Sequence, residues 1–150
     1  MHIKTFAPIT VLSSIHYTTF DQLHSFGPVM AELYAEAGRK GVINGPLHWI
    51  YYDLDAHENG LITLEIALPV KKRITSKKFN IRQLAPFKAI TFPVEGPWEH
   101  QHIKQHRSHE CRELFLNIDF EHPEKNLTEI QIGLGAITEE TMTYEQTLVV

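Results

Sequence analysis

The fold is decided by the stretch Leu47-His48-Trp49-Ile50-Tyr51-Tyr52-Asp53 and by its counterpart Cys111-Arg112-Glu113-Leu114-Phe115-Leu116-Asn117. Beyond each stretch, a turn is followed by a second alternating run, from Leu61 to Val70 in the first half and from Leu127 to Ala136 in the second. Alternation of apolar and polar residues with a period of two is typical of half-buried strands. We therefore predict a β-hairpin in each half of the chain, and the matching patterns indicate an internal duplication.

Helix-like sequence precedes each hairpin. In the first half, Pro28 suits the first turn of a helix, and Gly38 and Gly41 offer a place for it to end. The apolar residues that recur there at three- and four-residue steps are Leu23, Phe26, Met30, Leu33, Tyr34 and Ala37. In the second half, the segment from Trp98 to Glu110 is shorter and strongly polar. We predict one full helix and one truncated helix.

A further candidate strand lies before each helix, at about Ile9 to Tyr17 and Phe87 to Val94. The basic segment from Lys71 to Pro86 is interpreted as a solvated connector between the halves. We predict a single α+β domain over residues 1–150, built from duplicated β-α-β-β units at about residues 8–70 and 86–136. Residues 137–150 form an extra strand or a tail. The units form an antiparallel sheet with helices on one face and a ligand pocket on the other.

The composition and net charge of the chain limit the partners and the cellular location that we expect. The chain has 150 residues, of which 43% are apolar and 21% charged, with a net charge of -4. This charge gives no electrostatic basis for binding nucleic acid or anionic lipid, so neither is expected as a partner. The single Cys111 cannot form an internal disulfide, and no signal-like or membrane-spanning run is found. We expect a cytoplasmic protein.

Alternation also assigns the side chains of the hairpins to two faces. The face predicted to pack under the helices is aliphatic and holds Ile62, Leu64, Ile66, Leu68, Leu114, Leu116, Ile118, Ile130, Ile132 and Leu134. The opposite face is predicted to hold Trp49, Tyr51, Asp53, Thr63, Glu65, Ala67, Glu113, Phe115, Asn117, Glu129, Gln131 and Gly133. Aromatic rings beside carboxylates suit an organic cation, because the ring faces attract positive charge and a carboxylate supplies the counter-charge. The alternative is a polar sheet face turned to water.

The sequence resembles the GyrI-like small-molecule-binding family, the effector-binding domain of multidrug-responsive and AraC-type transcription regulators, over about residues 8–136. The matching elements are Leu33-Tyr34, Ile50-Tyr51-Tyr52-Asp53, Ala67-Leu68-Pro69-Val70, Gly96-Pro97-Trp98, Glu113-Leu114-Phe115-Leu116-Asn117 and Thr128-Glu129-Ile130. Two features depart from the family pattern. Thr18-Thr19 replaces the first Gly-Pro turn, and the second helix is reduced to a His-rich stub. Strand-like sequence begins by Ile9, so we expect a stand-alone module without direct contact to nucleic acid.

The resemblance also implies a binding site. The family's acidic residue, in the motif Glu-x-aromatic-Leu-Asn, falls on Glu113, and in relatives that bind lipophilic cations it lies at the floor of an aromatic-lined pocket. Together with the face assignment, this predicts a site for small organic, aromatic cations. The predicted ligand-binding residues are Glu113, Trp49, Tyr51, Phe115, Tyr34, Trp98 and Glu65. No cofactor, metal or catalytic residue is expected.

Three alternatives to a cation-binding module remain open. In one, Glu113 is the general base of a hydrolase of reactive small molecules, with Tyr51 or Tyr34 as the orienting donor. In another, the sheet face docks a protein partner and no small molecule is involved. A third is a metal site at helical spacing, formed by His102, His106 and His109.

Overall fold

The computed structural model describes residues 2–52, 60–100, 103–104 and 110–134. Within these residues the strands are β1 (His2–Phe6), β2 (Ile9–Thr18), β3 (Leu47–Tyr52), β4 (Ile62–Pro69), β5 (Asn80–Leu84), β6 (Phe87–Glu95), β7 (Cys111–Asn117) and β8 (Leu127–Gly133). Helix α1 covers Gly27–Arg39, and short 3-10 segments cover Phe20–Phe26 and Pro123–Lys125. The predicted hairpins are therefore β3–β4 and β7–β8.

The eight strands form one curled antiparallel sheet in the order β1-β6-β8-β7-β3-β4-β2-β5. The order β6-β8-β7 in the second half mirrors the order β2-β4-β3 in the first half, as a duplicated unit requires. The two halves meet where β3 pairs with β7. The α+β class and the antiparallel sheet are confirmed.

The outermost strands were not predicted. Strand β5 lies inside the segment from Lys71 to Pro86, which the sequence indicated as a solvated connector. Each outer strand precedes an Ala-Pro step, Ala7-Pro8 after β1 and Ala85-Pro86 after β5. Each also pairs with the other half of the molecule, since β1 pairs with β6 and β5 with β2. These two pairings link the halves at both edges of the sheet. Strands β1 and β5 are short and half-exposed, and such strands show little alternation of apolar and polar residues in the sequence.

Helix α1 forms where the apolar spacing predicted it. Pro28 lies in its first turn, and Leu33 and Ala37 are buried against the sheet. Gly41 follows the helix with a φ of 63°, in the left-handed region that glycine adopts without strain. A 3-10 segment precedes the helix, and the Thr19 side chain makes no capping hydrogen bond.

We call the sheet face covered by α1 the helix face and the other the opposite face. The helix face holds Leu12, Leu47, Trp49, Tyr51, Leu64, Ile66, Cys111, Glu113, Phe115, Ile130 and Ile132. The opposite face holds Val11, Ile50, Ala67 and Leu84, together with the polar residues His48, Glu65, Arg112 and Gln131. Both faces carry buried side chains, so each side of the sheet contributes to the core.

The predicted division of the faces needs a correction. Strand pairing sets Trp49 opposite Ile66 and Glu113 opposite Ile130, and directly paired residues point to the same face. The aromatic and acidic residues Trp49, Tyr51 and Glu113 therefore share the helix face with the aliphatic ones. Alternation grouped the side chains within each strand correctly. It could not relate one strand to the next, because the residues of β3 are buried on both faces.

Some predictions fall outside the described residues. They concern Asp53, the tail at 137–150 and most of the second helix. Of the predicted segment from Trp98 to Glu110, residues 98–100 and 110 are described and are not helical, whereas Ile103 and Lys104 are described and helical. Among the helices that are described, none is long and apolar enough to cross a membrane.

Candidate functional site

A cleft of about 250 Å³ opens on the helix face beside Glu113. Its floor comes from β6, β7 and β8, and its rim is the turn that follows β6. The lining residues are Val94, Glu95, Gly96, Pro97, Trp98, Glu99, His100, Glu113, Thr128 and Ile130. The cleft thus lies on the same face as helix α1, whereas the sequence placed the pocket and the helices on different faces. The reason is the strand register that brings Glu113 to the helix face.

Glu113 is buried on β7, with 3% of its surface exposed. The hydroxyl of Tyr51, on the neighbouring strand β3, donates to Glu113 Oε1 over 2.5 Å. Burial, reinforced by the nearby charge of Glu113, raises the pKa of Tyr51 well above its usual value. Tyr51 therefore keeps its proton at physiological pH and remains a hydrogen-bond donor to the carboxylate.

His100 occupies the space between Glu113 and Trp49. Its Nδ1 lies 2.7 Å from Glu113 Oε1 and 3.3 Å from the Tyr51 hydroxyl. Its ring stacks on the indole of Trp49, with centroids 5.6 Å apart and planes at 4°. Among the described residues other than glycine, only His100 has a positive φ, at 57°. A strained backbone thus holds a flat nitrogen ring against an aromatic face and a carboxylate.

Further aromatic rings surround this arrangement. Phe115 contacts Trp98 and Trp49 edge to face, with centroid distances of 4.8 Å and 5.5 Å. Phe20 stacks on Tyr51 at 6.3 Å, and Phe26 meets the edge of Trp49 at 6.2 Å. Edge-to-face and offset contacts are the preferred geometries of aromatic pairs, so these rings support one another as a wall.

Three buried polar atoms near the cleft have no hydrogen-bond partner in the described part of the chain: Trp49 Nε1, Trp98 Nε1 and Thr128 Oγ1. Trp98 and Thr128 line the cleft directly. Buried polar atoms in folded proteins nearly always have partners, so their clustering beside an acidic residue is typical of a site that receives a ligand or ordered water.

The structure brings together five of the seven residues predicted as a site: Glu113, Trp49, Tyr51, Phe115 and Trp98. Tyr34 is not among them. It packs half-buried on the core from α1, and no ring contact described for the chain joins it to the other five. Burial raises the pKa of Tyr34.

Glu65 is also separate, because it lies on the opposite face and is fully buried. Its carboxylate accepts hydrogen bonds from Ser13, Tyr52 and Arg82, with the Ser13 bond at 2.6 Å and the Tyr52 bond at 2.8 Å. Burial alone would raise the pKa of Glu65, but these three donors hold it below the usual value. A carboxylate so fully bonded joins strands β2, β3, β4 and β5, and it is not available to a ligand at the cleft.

The sequence reasoning missed His100 as a member of the site. The Gly96-Pro97-Trp98 turn was recognised, but His100, two residues beyond it, was not predicted as a site residue. No residue pattern predicts that the chain after this turn folds back onto Trp49. Phe20 was also missed: it follows Thr18-Thr19, which replaces the family's first Gly-Pro turn, and its ring packs on Tyr51.

The metal alternative is not tested by the structure, since His102, His106 and His109 lie outside the described residues. Over residues 2–52, 60–100, 103–104 and 110–134, no group of three or more His, Cys, Asp or Glu side chains could hold a metal ion. Burial, with the charges of Glu110 and Glu113, raises the pKa of the Cys111 thiol to about 12, so it remains protonated.

Solved structures share this fold at low sequence identity. SAV2435 bound to tetraphenylphosphonium is 16% identical, with a TM-score of 0.63 over 88% of this chain and 92% of that one. The EcmrR C-terminal domain is 14% identical, with a TM-score of 0.64 over 87% and 94% of the two chains. A hydrolase encoded by lin2189 from Listeria innocua is 11% identical, with a TM-score of 0.55 over 87% and 90%.

At these identities the likeness establishes the fold alone. At the level of the fold, the resemblance to GyrI-like small-molecule-binding domains is confirmed. Neither a protein-family model nor a curated protein sequence matches the chain.

Proposed function

We propose that the cleft beside Glu113 binds small, flat aromatic cations, and that the protein senses or sequesters such compounds. The observation that carries the proposal is the position of His100. Its imidazole lies parallel to Trp49 with a nitrogen 2.7 Å from Glu113 Oε1. The chain's own side chain thus fills the place of a flat, nitrogen-containing ligand.

The electrostatics of the cleft favour a positive ligand. Glu113 is buried, and none of the described Lys or Arg side chains forms an ion pair with it. Lys104, the nearest described basic residue in the chain after His100, places its Nζ over Phe20 at 5.3 Å instead. A ligand cation would gain the attraction of the carboxylate and of the indole face at once, in a site that is largely out of water.

Binding requires His100 to leave this position. A ligand ring that stacks on Trp49 must take the place of the imidazole, since both cannot occupy the same face of the indole. The cleft volume of about 250 Å³ suits a ligand of two or three fused rings once His100 moves aside. The tetraphenylphosphonium bound by SAV2435, which shares the fold, is also a lipophilic aromatic cation, although it is tetrahedral at phosphorus and not flat.

Tryptophan fluorescence offers a direct test, because the chain has only two Trp residues and both lie at this site. We expect N-methylquinolinium to quench the emission saturably, and we expect Trp49→Phe to remove most of the change. Quinoline, which is neutral near pH 7, serves as the matched ligand without the charge. If N-methylquinolinium causes no saturable change, or if quinoline binds as tightly, the proposal is wrong.

A second candidate function is hydrolysis of reactive small molecules, favoured by the contact between Tyr51 and Glu113. A buried carboxylate beside a tyrosine that keeps its proton provides a general base and a hydrogen-bond donor. The hydrolase from Listeria innocua shares the fold. Incubation with an aryl epoxide, followed by mass spectrometry, distinguishes the two functions. A product larger by one water that disappears in Glu113→Gln indicates an enzyme, and an unchanged epoxide indicates a binding protein.

A further inference from the structure

A second groove, of about 450 Å³, lies on the opposite face of the sheet, away from Glu113. The connection between β1 and β2 forms one wall, and the segment that enters β3 forms the other. Pro8, Pro46, Pro69 and Leu114 give these walls an apolar surface. No Asp or Glu of the described chain lines the groove, and its polar residues are Gln131, Arg112, His48, Lys71, Thr10 and Asn44.

Gln131 places an unsatisfied acceptor in this groove. Its side chain is almost fully buried, with 1% of the residue exposed. Its Nε2 donates to Glu129 Oε2 over 2.7 Å, which fixes the orientation of the amide. The remaining oxygen, Oε1, has no hydrogen-bond partner in the described part of the chain. A buried amide oxygen of this kind requires a donor, and the groove is where one can enter.

The charge in the groove is positive. Arg112 is 5% exposed, lies directly opposite Gln131 on the paired strands, and bonds to Glu110 through Nε and one terminal nitrogen. Lys71 is exposed at the rim. His48 is neutral near pH 7, because burial lowers its pKa to about 4, with the charge of Arg112 adding to the effect. Two cations therefore line the groove. Arg112 is paired with Glu110, and Lys71 has no acidic partner in the described part of the chain.

From these groups we infer a second ligand site, which takes a small carboxylate that also carries an N–H or O–H donor and an apolar group. The carboxylate lies at the Lys71 and Arg112 side, the donor meets Gln131 Oε1, and the apolar group packs on the proline-lined walls. N-acylated amino acids have this combination of groups. The site is independent of the proposed cation site, from which it differs in face, in charge and in ligand class.

The test uses three related probes, N-acetyl-leucine, its neutral amide, and 4-methylpentanoate, which lacks the N–H donor. Titrations of the whole chain are followed by the NMR signal of the Gln131 side-chain amide. We expect N-acetyl-leucine to shift this signal saturably and to bind more tightly than the other two probes. No saturable shift at millimolar concentration, or equal binding of the three probes, would overturn the inference.

Two variants separate the roles of charge and donor. Lys71→Gln removes an exposed charge. We expect it to weaken the binding of N-acetyl-leucine by about three- to fivefold, which is the range of a partly exposed charge pair. The binding of the neutral amide should not change. Gln131→Leu keeps the volume of the side chain and removes the acceptor. Because this variant lacks the Gln131 amide signal, its binding is measured by isothermal titration calorimetry, and we expect it to lose the preference for N-acetyl-leucine over 4-methylpentanoate.

Two further measurements serve as controls: the melting temperature of Gln131→Leu, and the binding of N-acetyl-leucine by a variant of the proposed cation site. Gln131→Leu removes the bond from Nε2 to Glu129 together with the unpartnered Oε1, so its melting temperature is compared with that of Glu129→Ala, which removes the same bond. We expect Gln131→Leu to be no less stable than Glu129→Ala. A clearly larger decrease would mean that Oε1 has a partner within the chain, which contradicts the inference. Glu113→Gln should leave N-acetyl-leucine binding unchanged, whereas a loss of binding in that variant would place the probe in the cleft on the helix face.

Discussion

Trp49 and Glu113 lie directly opposite each other on β3 and β7, the strand pair that joins the two halves of the sheet. They also occupy matching positions in the two repeated stretches, so duplication brings an aromatic residue of one unit beside an acidic residue of the other. The proposed site therefore forms only where the units meet. Its two main components need no loop to bring them together, since strand pairing already does so.

Replacing His100 with Ala should strengthen the binding of aromatic cations. In the wild type a ligand must displace the imidazole from Trp49 and from Glu113. Without this step we expect the affinity for N-methylquinolinium to rise by about tenfold, which corresponds to a single hydrogen bond to a charged group. Isothermal titration calorimetry measures the change, with His122→Ala, an exposed histidine, as the control. Weaker binding by His100→Ala would show that His100 contacts the ligand instead of competing with it.

The backbone of His100 predicts a difference between two substitutions. Its φ of 57° lies in the left-handed region, which glycine adopts without the steric cost that a Cβ imposes. Both His100→Gly and His100→Ala remove the ring, so they lose the same contacts. We expect the glycine variant to be more stable by about 1 kcal/mol in urea denaturation. Equal stabilities, or a more stable alanine variant, would mean that this backbone conformation is not kept.

Glu65 provides the matched control for the acidic residue of the cleft. Glu65→Gln weakens a fully buried carboxylate network with Ser13, Tyr52 and Arg82. We expect a loss of about 2 to 3 kcal/mol in the free energy of unfolding, less than for a fully buried pair because Arg82 is partly exposed. Binding of N-methylquinolinium should not change. A clear loss of affinity in the folded variant would show that Glu65 is part of the ligand site.

The buried His48 makes the protein less stable in acid. Its pKa falls from the ordinary 6.5 to about 4 in the folded state. Below pH 6.5 the unfolded chain therefore binds a proton at His48, whereas the folded chain binds this proton only at about pH 4. The free energy of unfolding should decrease over this range, by up to about 3 kcal/mol.

Urea denaturation at a series of pH values, with His48→Gln for comparison, checks this effect. We expect the variant to lose less stability than the wild type between pH 6.5 and about 4.5; Glu65, whose folded-state pKa is lowered, contributes equally to both proteins. Burial also lowers the pKa of His16, so part of the acid sensitivity remains in the variant. Parallel curves for the two proteins would show that His48 is protonated in the folded state.

Much of the fold could be predicted from the sequence because its signals are local. The alternation in β4 and β8 defined the hairpins, and the spacing around Leu33 and Ala37 defined α1. The outer strands β1 and β5 escaped prediction because their partners belong to the other half of the chain. Such pairing depends on the completed sheet, and a short strand sequence does not encode it.

Part of the site could also be predicted, because the alternation within a single strand is a local signal. Alternation kept Trp49 with Tyr51 and Glu113 with Phe115, because each pair belongs to one strand. Glu65 was assigned wrongly because the register between β3 and β4 decides its face, and burial on both sides of β3 hides that register in the sequence. His100 follows a turn with an unusual backbone angle, so its contact with Glu113 depends on tertiary structure alone.

In the proposed site, the carboxylate of Glu113 supplies the counter-charge for an aromatic cation. The decisive measurement is calorimetric titration of wild type and Glu113→Gln with N-methylquinolinium and with neutral quinoline. The substitution keeps the shape of the side chain and removes its charge, so we expect the cation to lose about 1 to 3 kcal/mol of binding free energy and quinoline to lose almost none. Equal losses for the two ligands, or no loss for either, would contradict the claim.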